Sequence, residues 1–430
     1  MNEHDPHFEG DGEGAFQRET RRDIRPIPRI TIQAFCETHE TASAFESASE
    51  DRRMSRAHVK VQTGGIDAAV EAYRESSTPN LVVLESVERK DKLLADLGRF
   101  AEMCDPSTRV VVIGHVNDIA LYRELMRQGV SEYVVAPLSA LDVVEIVSQL
   151  YSDTNAKPVG RLVAFVGSKG GVGASTIAHN AAWLAAGELE IDTLVLDLDL
   201  AFGTANLDFN TDPPQGVAEA VFSPDRLDQT FLDRLMASCG ERLNLLAASA
   251  TLERTFDFAE GAFEQLMDVV RNNAPLIVLD VPHLWSAWAR RTLVAADDIV
   301  LVAEPDLANL RNAKNLGDHL KQARLHDAPP KLVLNKVGLP KRPEISAADF
   351  AKALDLKVEA SIPFDAQLFG TAANNGQMLA EVAKASKAIE AIRGLAERIA
   401  DRAPAKKPRG IAASLPVLER LQGLMARKRA

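Results

Sequence analysis

Residues 161–187, "RLVAFVGSKGGVGASTIAHNAAWLAAG", set the strongest limit on what this chain can become. "VAFVG" is a buried-type strand, "SKGGVGAS" is too rich in glycine for either regular structure, and "TIAHNAAWLAA" has the apolar spacing of a helix. A strand that turns through glycines into a helix N-terminus is the setting of a phosphate-binding loop. Gly170, Gly171 and Gly173, with Val172 among them, let successive amides converge on one point, and the helix start adds its positive dipole end. Ser175 or Thr176 would offer a hydroxyl to Mg²⁺. Position 174, where such loops carry a lysine, holds Ala174.

The rest of the chain repeats the same βα alternation, so the predicted fold class is α/β, with two doubly wound units. Residues 1–28 are polar and aperiodic and read as a disordered lead-in. In 29–151 the runs "RITIQAF", "HVKVQTG", "NLVVLES", "TRVVVIG" and "SEYVVAP" read as strands of a first unit, and "SDTNAKPVG" (152–160) as a linker. A larger nucleotide-binding unit follows over 161–402, and 403–430 form a basic tail. At 430 residues with 46% hydrophobic content, two cores of that size can be filled. Cys36, Cys104 and Cys239 are too scattered for a disulfide framework or a zinc site, and a reducing cytoplasm is expected. The net charge of -12 argues against a general nucleic-acid binder, and no nucleic-acid partner is expected.

Two further acidic strand ends belong with the loop. "TLVLDLDLAFG" and "PLIVLDVPH" are apolar strands ending in Asp197 with Asp199, and in Asp280. Asp280 is placed to hold the Mg²⁺ shell through water, while Asp197 and Asp199 sit where a switch loop senses the γ-phosphate and orients the attacking water. His283 and Trp285, just beyond, read as packing at the sheet end, the alternative being a partner surface.

These residues resemble the MinD/ParA class of P-loop ATPases, with its deviant "KGGxGK[ST]" loop. Lys169 matches the signature lysine, which the resemblance implies reaches the phosphates of a second subunit across an ATP-bridged homodimer. It also implies ATP and Mg²⁺ as cofactors. "VLNKVG" then places Asn335 and Lys336 at the adenine, and "ASIPFDAQLF" places Pro363 and Asp365 along the base edge.

The first unit resembles the receiver domains of two-component regulators with the chemistry removed. Glu85 stands where an acceptor aspartate ends the third strand, Ala136 precedes Pro137 where a lysine is expected, and Gly114-His115 replace a hydroxyl residue. Phosphoryl acceptance needs a carboxylate beside bound Mg²⁺, with a lysine and a hydroxyl to neutralise the transferred charge. Glu85 reads as a solvated strand-end acid, the alternative being a permanent mimic of a modified side chain. The unit is therefore expected to dock or dimerise.

A degenerate receiver joined to "SKGGVGAST", "VLDVPHLWSAW" and "AEPDLANLRNAKNL" resembles, over roughly residues 30–400, the CpaE/TadZ pilus-assembly proteins. That resemblance implies a localisation and scaffold role in Flp/Tad-type pilus assembly and secretion, with components of that machinery as partners. It implies a cytoplasmic protein that gathers at the inner membrane or cell pole. Losing one charge-assisted phosphate contact at Ala174 costs about 1.5–3 kcal/mol, roughly ten- to a hundredfold in affinity. Hydrolysis suffers more, because the missing ammonium would have met charge that grows in the transition state. ATP is thus expected to clamp more than to turn over. The tail sets Lys406, Lys407, Arg409, Arg420, Arg427, Lys428 and Arg429 beside Leu415, Leu418, Leu421 and Leu424, which suits either an interfacial helix on anionic lipid or a solvated tail.

Overall fold

A computed structural model describes residues 24–152, 159–249, 251–253 and 255–400; the basic tail and most of the N-terminal lead-in lie outside the described residues. Two sheets organise the chain. The first joins β1 (Thr31–Cys36), β2 (His58–Thr63), β3 (Leu81–Glu85), β4 (Arg109–Gly114) and β5 (Glu132–Val135) in the parallel order β2-β1-β3-β4-β5. All five are the runs read from the sequence. Ile27 is fully buried in this core and its amide donates to Arg53 O at 2.8 Å, so this residue belongs to the first unit and not to the lead-in. The helix His39–Ser49 was not read from the sequence: Ala, Ser, Thr and His give its "HETASAFESAS" little apolar contrast, and it forms because Phe45 and three alanines pack on the sheet.

The second sheet comprises β6 (Arg161–Gly167), β7 (Thr193–Asp197), β8 (Ala237–Ser238), β9 (Leu243–Leu246), β10 (Leu276–Val281), β11 (Asp298–Ala303), β12 (Lys331–Val337) and β13 (Val358–Pro363). Their order is β13-β12-β11-β6-β10-β7-β9-β8, parallel except for the two-residue β8 at the edge. Both faces are covered. Leu162, Ala164 and Val166 enter one core while Val163 and Phe165 enter the other, which is why the strands read as unbroken apolar runs. β6 lies between β10 and β11, the point where the strand order reverses, and a crevice opens beyond its carboxyl end. The glycine-rich loop leaves β6 there.

A buried ionic seam joins the two units on the opposite side of this sheet, at the strand N-termini. Arg52 Nε meets Asp327 at 2.6 Å and its Nη2 meets Asp297 at 3.1 Å, while Arg53 reaches Asp327 at 2.5 Å and Arg56 reaches Asp268 at 2.6 Å. Asp297 also accepts from Arg271 and from the amide of Leu162, the second residue of β6. Burial pushes its carboxyl up, but the charges of Arg271 and Arg52 outweigh that and hold it well below the carboxylate range.

At the carboxyl ends of the first sheet the expectation of a solvated acid fails. Glu85 is fully buried. Its Oε2 accepts from the amides of Glu37 and Thr38 at 2.7 and 2.9 Å, and its Oε1 from the hydroxyls of Thr38 and Thr41, both at 2.7 Å. His115 Nε2 adds a contact at 3.0 Å. Burial pushes this carboxyl up, yet the hydrogen bonds from Thr38, Thr41 and Glu37 outweigh it and keep it below its ordinary value. It ties the segment after β1 and the end of β4 to β3.

Candidate functional site

The loop 168–173 runs from β6 into the helix Ala174–Gly187. Gly171 and Gly173 take φ of +82° and +86°, left-handed values that let the backbone fold around a centre. At Gly173 a Cβ would also lie 2.6 Å from Asn335 Nδ2, so the position admits nothing larger. The helix begins without a side-chain cap, and its first amides have no side-chain acceptor.

Two cavities share this loop. One, of about 910 Å³, is lined by Lys169, Gly170, Gly171, Val172, Gly173, Ala174, Ser175 and Thr176, together with Asp199 and Asp280. The other, of about 340 Å³, is lined by Gly171, Gly173 and Thr176 with Asn335, Lys336, Pro363 and Asp365. The candidate residues drawn from five separate stretches of sequence therefore converge, with one exception: Asp197 lines neither cavity. Its carboxylate is turned into the backbone, accepting from the amides of Asp199 and Ala205, both at 3.1 Å. Burial, helped by the Asp280 charge, pushes it up to about 7. Asp199 sits at the cavity wall, where burial again raises its carboxyl.

Several participants carried no sequence signal. His179, fully buried on the helix behind the loop, places Nδ1 2.7 Å from Asp208 and Nε2 3.3 Å from Asp280. Burial pushes this imidazole down, but its hydrogen bond to Asp208 and its ion pairs with Asp280 and Asp208 outweigh that and lift it to about 10. A histidine inside an apolar helical stripe reads as core until the facing acids are known. Phe364, Phe369 and Met378 furnish apolar walls for the smaller cavity. Trp285 does not pack at the sheet end as expected: it is 55% exposed, edge-on to His319, and Trp288 is the buried indole.

Side chains hold the carbonyls of the loop. His283 Nδ1 lies 2.9 Å from Gly167 O, Asn312 Nδ2 donates to Ser168 O at 3.0 Å, and Asn335 Nδ2 donates to Val172 O at 2.8 Å. Lys336 Nζ donates to Gly171 O at 2.6 Å. Backbone carbonyls that find partners outside leave the amides to face the cavity.

No family model matches the chain. The pilus assembly protein CpaE of Caulobacter crescentus CB15 is 53% identical over 98% of its solved chain, which spans 30% of this one, with a TM-score of 0.29. The chain belongs to the CpaE family. Membership rests on that identity, not on the TM-score. CpaE-type chains are joined here to a second likeness: a ParA family ATPase of Chlorobium tepidum TLS is 25% identical, covering 55% of this chain and 98% of its own, at a TM-score of 0.50. The septum site-determining protein MinD of Pyrococcus horikoshii OT3, solved with Mg-ADP, is 22% identical across 60% of this chain and all of its own, also at 0.50, and shows the shared fold. In this CpaE-family chain the MinD/ParA-type sheet is the eight-stranded one, and its loop has an alanine at position 174.

Proposed function

We propose that this CpaE-family chain is an ATP-binding localisation and scaffold protein of Flp/Tad-type pilus assembly and secretion, in which Mg-ATP bridges two copies and is hydrolysed slowly. One observation carries the reading: a glycine-rich loop whose carbonyls are held by side chains opens onto two cavities, of about 340 and 910 Å³, that bring the expected base-side and phosphate-side residues together, while position 174 presents only a methyl group. Backbone amides grip phosphate without a lysine, but they add little where charge builds during transfer. Asn335, Pro363 and Asp365 border the smaller cavity, and the exposed Lys169 lines the larger one, where it would meet a second copy. Mg²⁺ fits the donor set, since it asks for a few oxygens and keeps its waters: the Ser175 hydroxyl and, through water, Asp280 line the same cavity. Bound there, the ion would neutralise phosphate charge. Asp199 is the residue at hand to orient a water.

Sizing the full chain with and without Mg-ATP, beside a phosphate-release assay, tests this. The expected result is an ATP-dependent dimer that the Lys169→Ala variant fails to form, with turnover far below that of an ordinary ATPase. Brisk phosphate release overturns the clamp.

A second reading, a fully active MinD/ParA-type ATPase for spatial positioning on membrane or DNA, draws on the retained acids Asp199 and Asp280 at the cavity wall. It calls for hydrolysis stimulated by lipid vesicles or DNA. A phosphorylated response regulator is disfavoured, because the Glu85 oxygens are already taken up by internal donors.

A further inference from the structure

Neighbouring side chains on a strand point to opposite faces, yet Asn335 and Lys336 both reach the same loop. They do so because β12 breaks its register with β13 between Leu334 and Val337, and because Lys336 takes φ of +55°. A non-glycine residue in that left-handed region persists only where its surroundings over-determine it, and such outliers concentrate where a function depends on them. Here the surroundings are specific. The ammonium lies between Gly171 O, at 2.6 Å, and Glu304 Oε1, at 2.8 Å. Glu304 follows β11 and is itself held by Arg342 Nη1 at 2.6 Å. Burial pushes the Glu304 carboxyl up, but the hydrogen bonds and charges of Lys336 and Arg342 outweigh it and hold it below its ordinary value. The ammonium is therefore committed to a carbonyl of the loop and to a carboxylate, while its side chain lines the smaller cavity.

We propose that Lys336, anchored by Glu304, is a positioning residue that keeps the amides of loop 169–173 turned toward the phosphate site before any nucleotide arrives. It braces a loop whose position 174 offers only a methyl group. The inference rests on reading this loop as the nucleotide site, and it assigns Lys336 to the loop backbone in place of the base.

Amide ¹⁵N relaxation of the nucleotide-free full chain reads this directly, with the buried strand β10 as the internal reference for folding. In the Lys336→Met variant the order parameters of residues 169–173 are expected to fall while those of β10 do not change, and the Mg-ATP Kd rises roughly tenfold. Lys336→Arg, which keeps a donor, restores part of both. Glu304→Gln gives an intermediate loop effect and serves if the methionine variant unfolds. Loop order parameters that stay at the wild-type values in both Lys336→Met and Glu304→Gln overturn the proposal, even if affinity falls, because Lys336 would then act on the nucleotide alone. Should the wild-type chain bind no ATP, the nucleotide reading fails, and a loosened loop in the variants would still support Lys336 as the brace of the loop.

Discussion

The two parallel sheets end alike and are used in opposite ways. Beyond the carboxyl end of β3, the amides of Glu37 and Thr38 and two threonine hydroxyls converge on the chain's own Glu85. Beyond β6, the loop's carbonyls are the groups that side chains claim, and the amides are left for something from outside. Both sites gather donors where parallel strands and helix N-termini converge. The difference lies in whether the sequence supplies an internal anion: Glu85 fills the first, and Ala174 together with three glycines leaves the second open. A degenerate site can thus become either a structural staple or a weaker binding site.

The largest expected effect comes from emptying the filled site. Glu85→Ala strands several buried donors and should destabilise the first unit by about 3–5 kcal/mol, read as a lower denaturation midpoint. A loss under about 1 kcal/mol would show that the carboxylate is not a staple. Next comes the open site: Ala174→Lys should strengthen Mg-ATP binding by about 1.5–3 kcal/mol in calorimetry, with a larger gain in phosphate release. An unchanged affinity would mean that the cradle does not address phosphate. The smallest effect per step is the pH response of the helix behind the loop. His179 is held charged, with its folded value lifted to about 10 from an ordinary 6.5. Its contribution is full below about pH 6.5 and is lost as pH rises toward 10, with a slope no steeper than about 1.4 kcal/mol per pH unit. Urea midpoints across that window should fall in the wild type and flatten in His179→Gln; parallel curves would remove the imidazolium from the account.

Much of this was legible in the residues. The five strands of the first sheet and the strand-loop-helix of the second announce themselves through apolar runs and glycines, since local periodicity acts over few residues. Asp280, Asp199 and the loop, which the sequence groups through glycines and acidic strand ends, line one cavity. The buried orientation of Asp197 was not, because a strand-end acid can face the crevice or its own backbone, and only the turn through Gly203 and Ala205 selects the latter. The helix His39–Ser49 escaped notice for want of apolar contrast, and the exposed Trp285 for want of any cue that Trp288 takes the core.

The sequence by itself determined the alternating α/β plan, the glycine-rich turn and the missing lysine, all properties of short stretches whose backbone preferences are set by their own side chains. Only the tertiary structure decided that Lys336 and Asn335 brace a loop more than 160 residues away, and that Glu85 faces inward to donors on other segments. Those pairings depend on strand order and register, which bring distant segments to one sheet edge, and no local preference encodes which carbonyl a remote ammonium will meet.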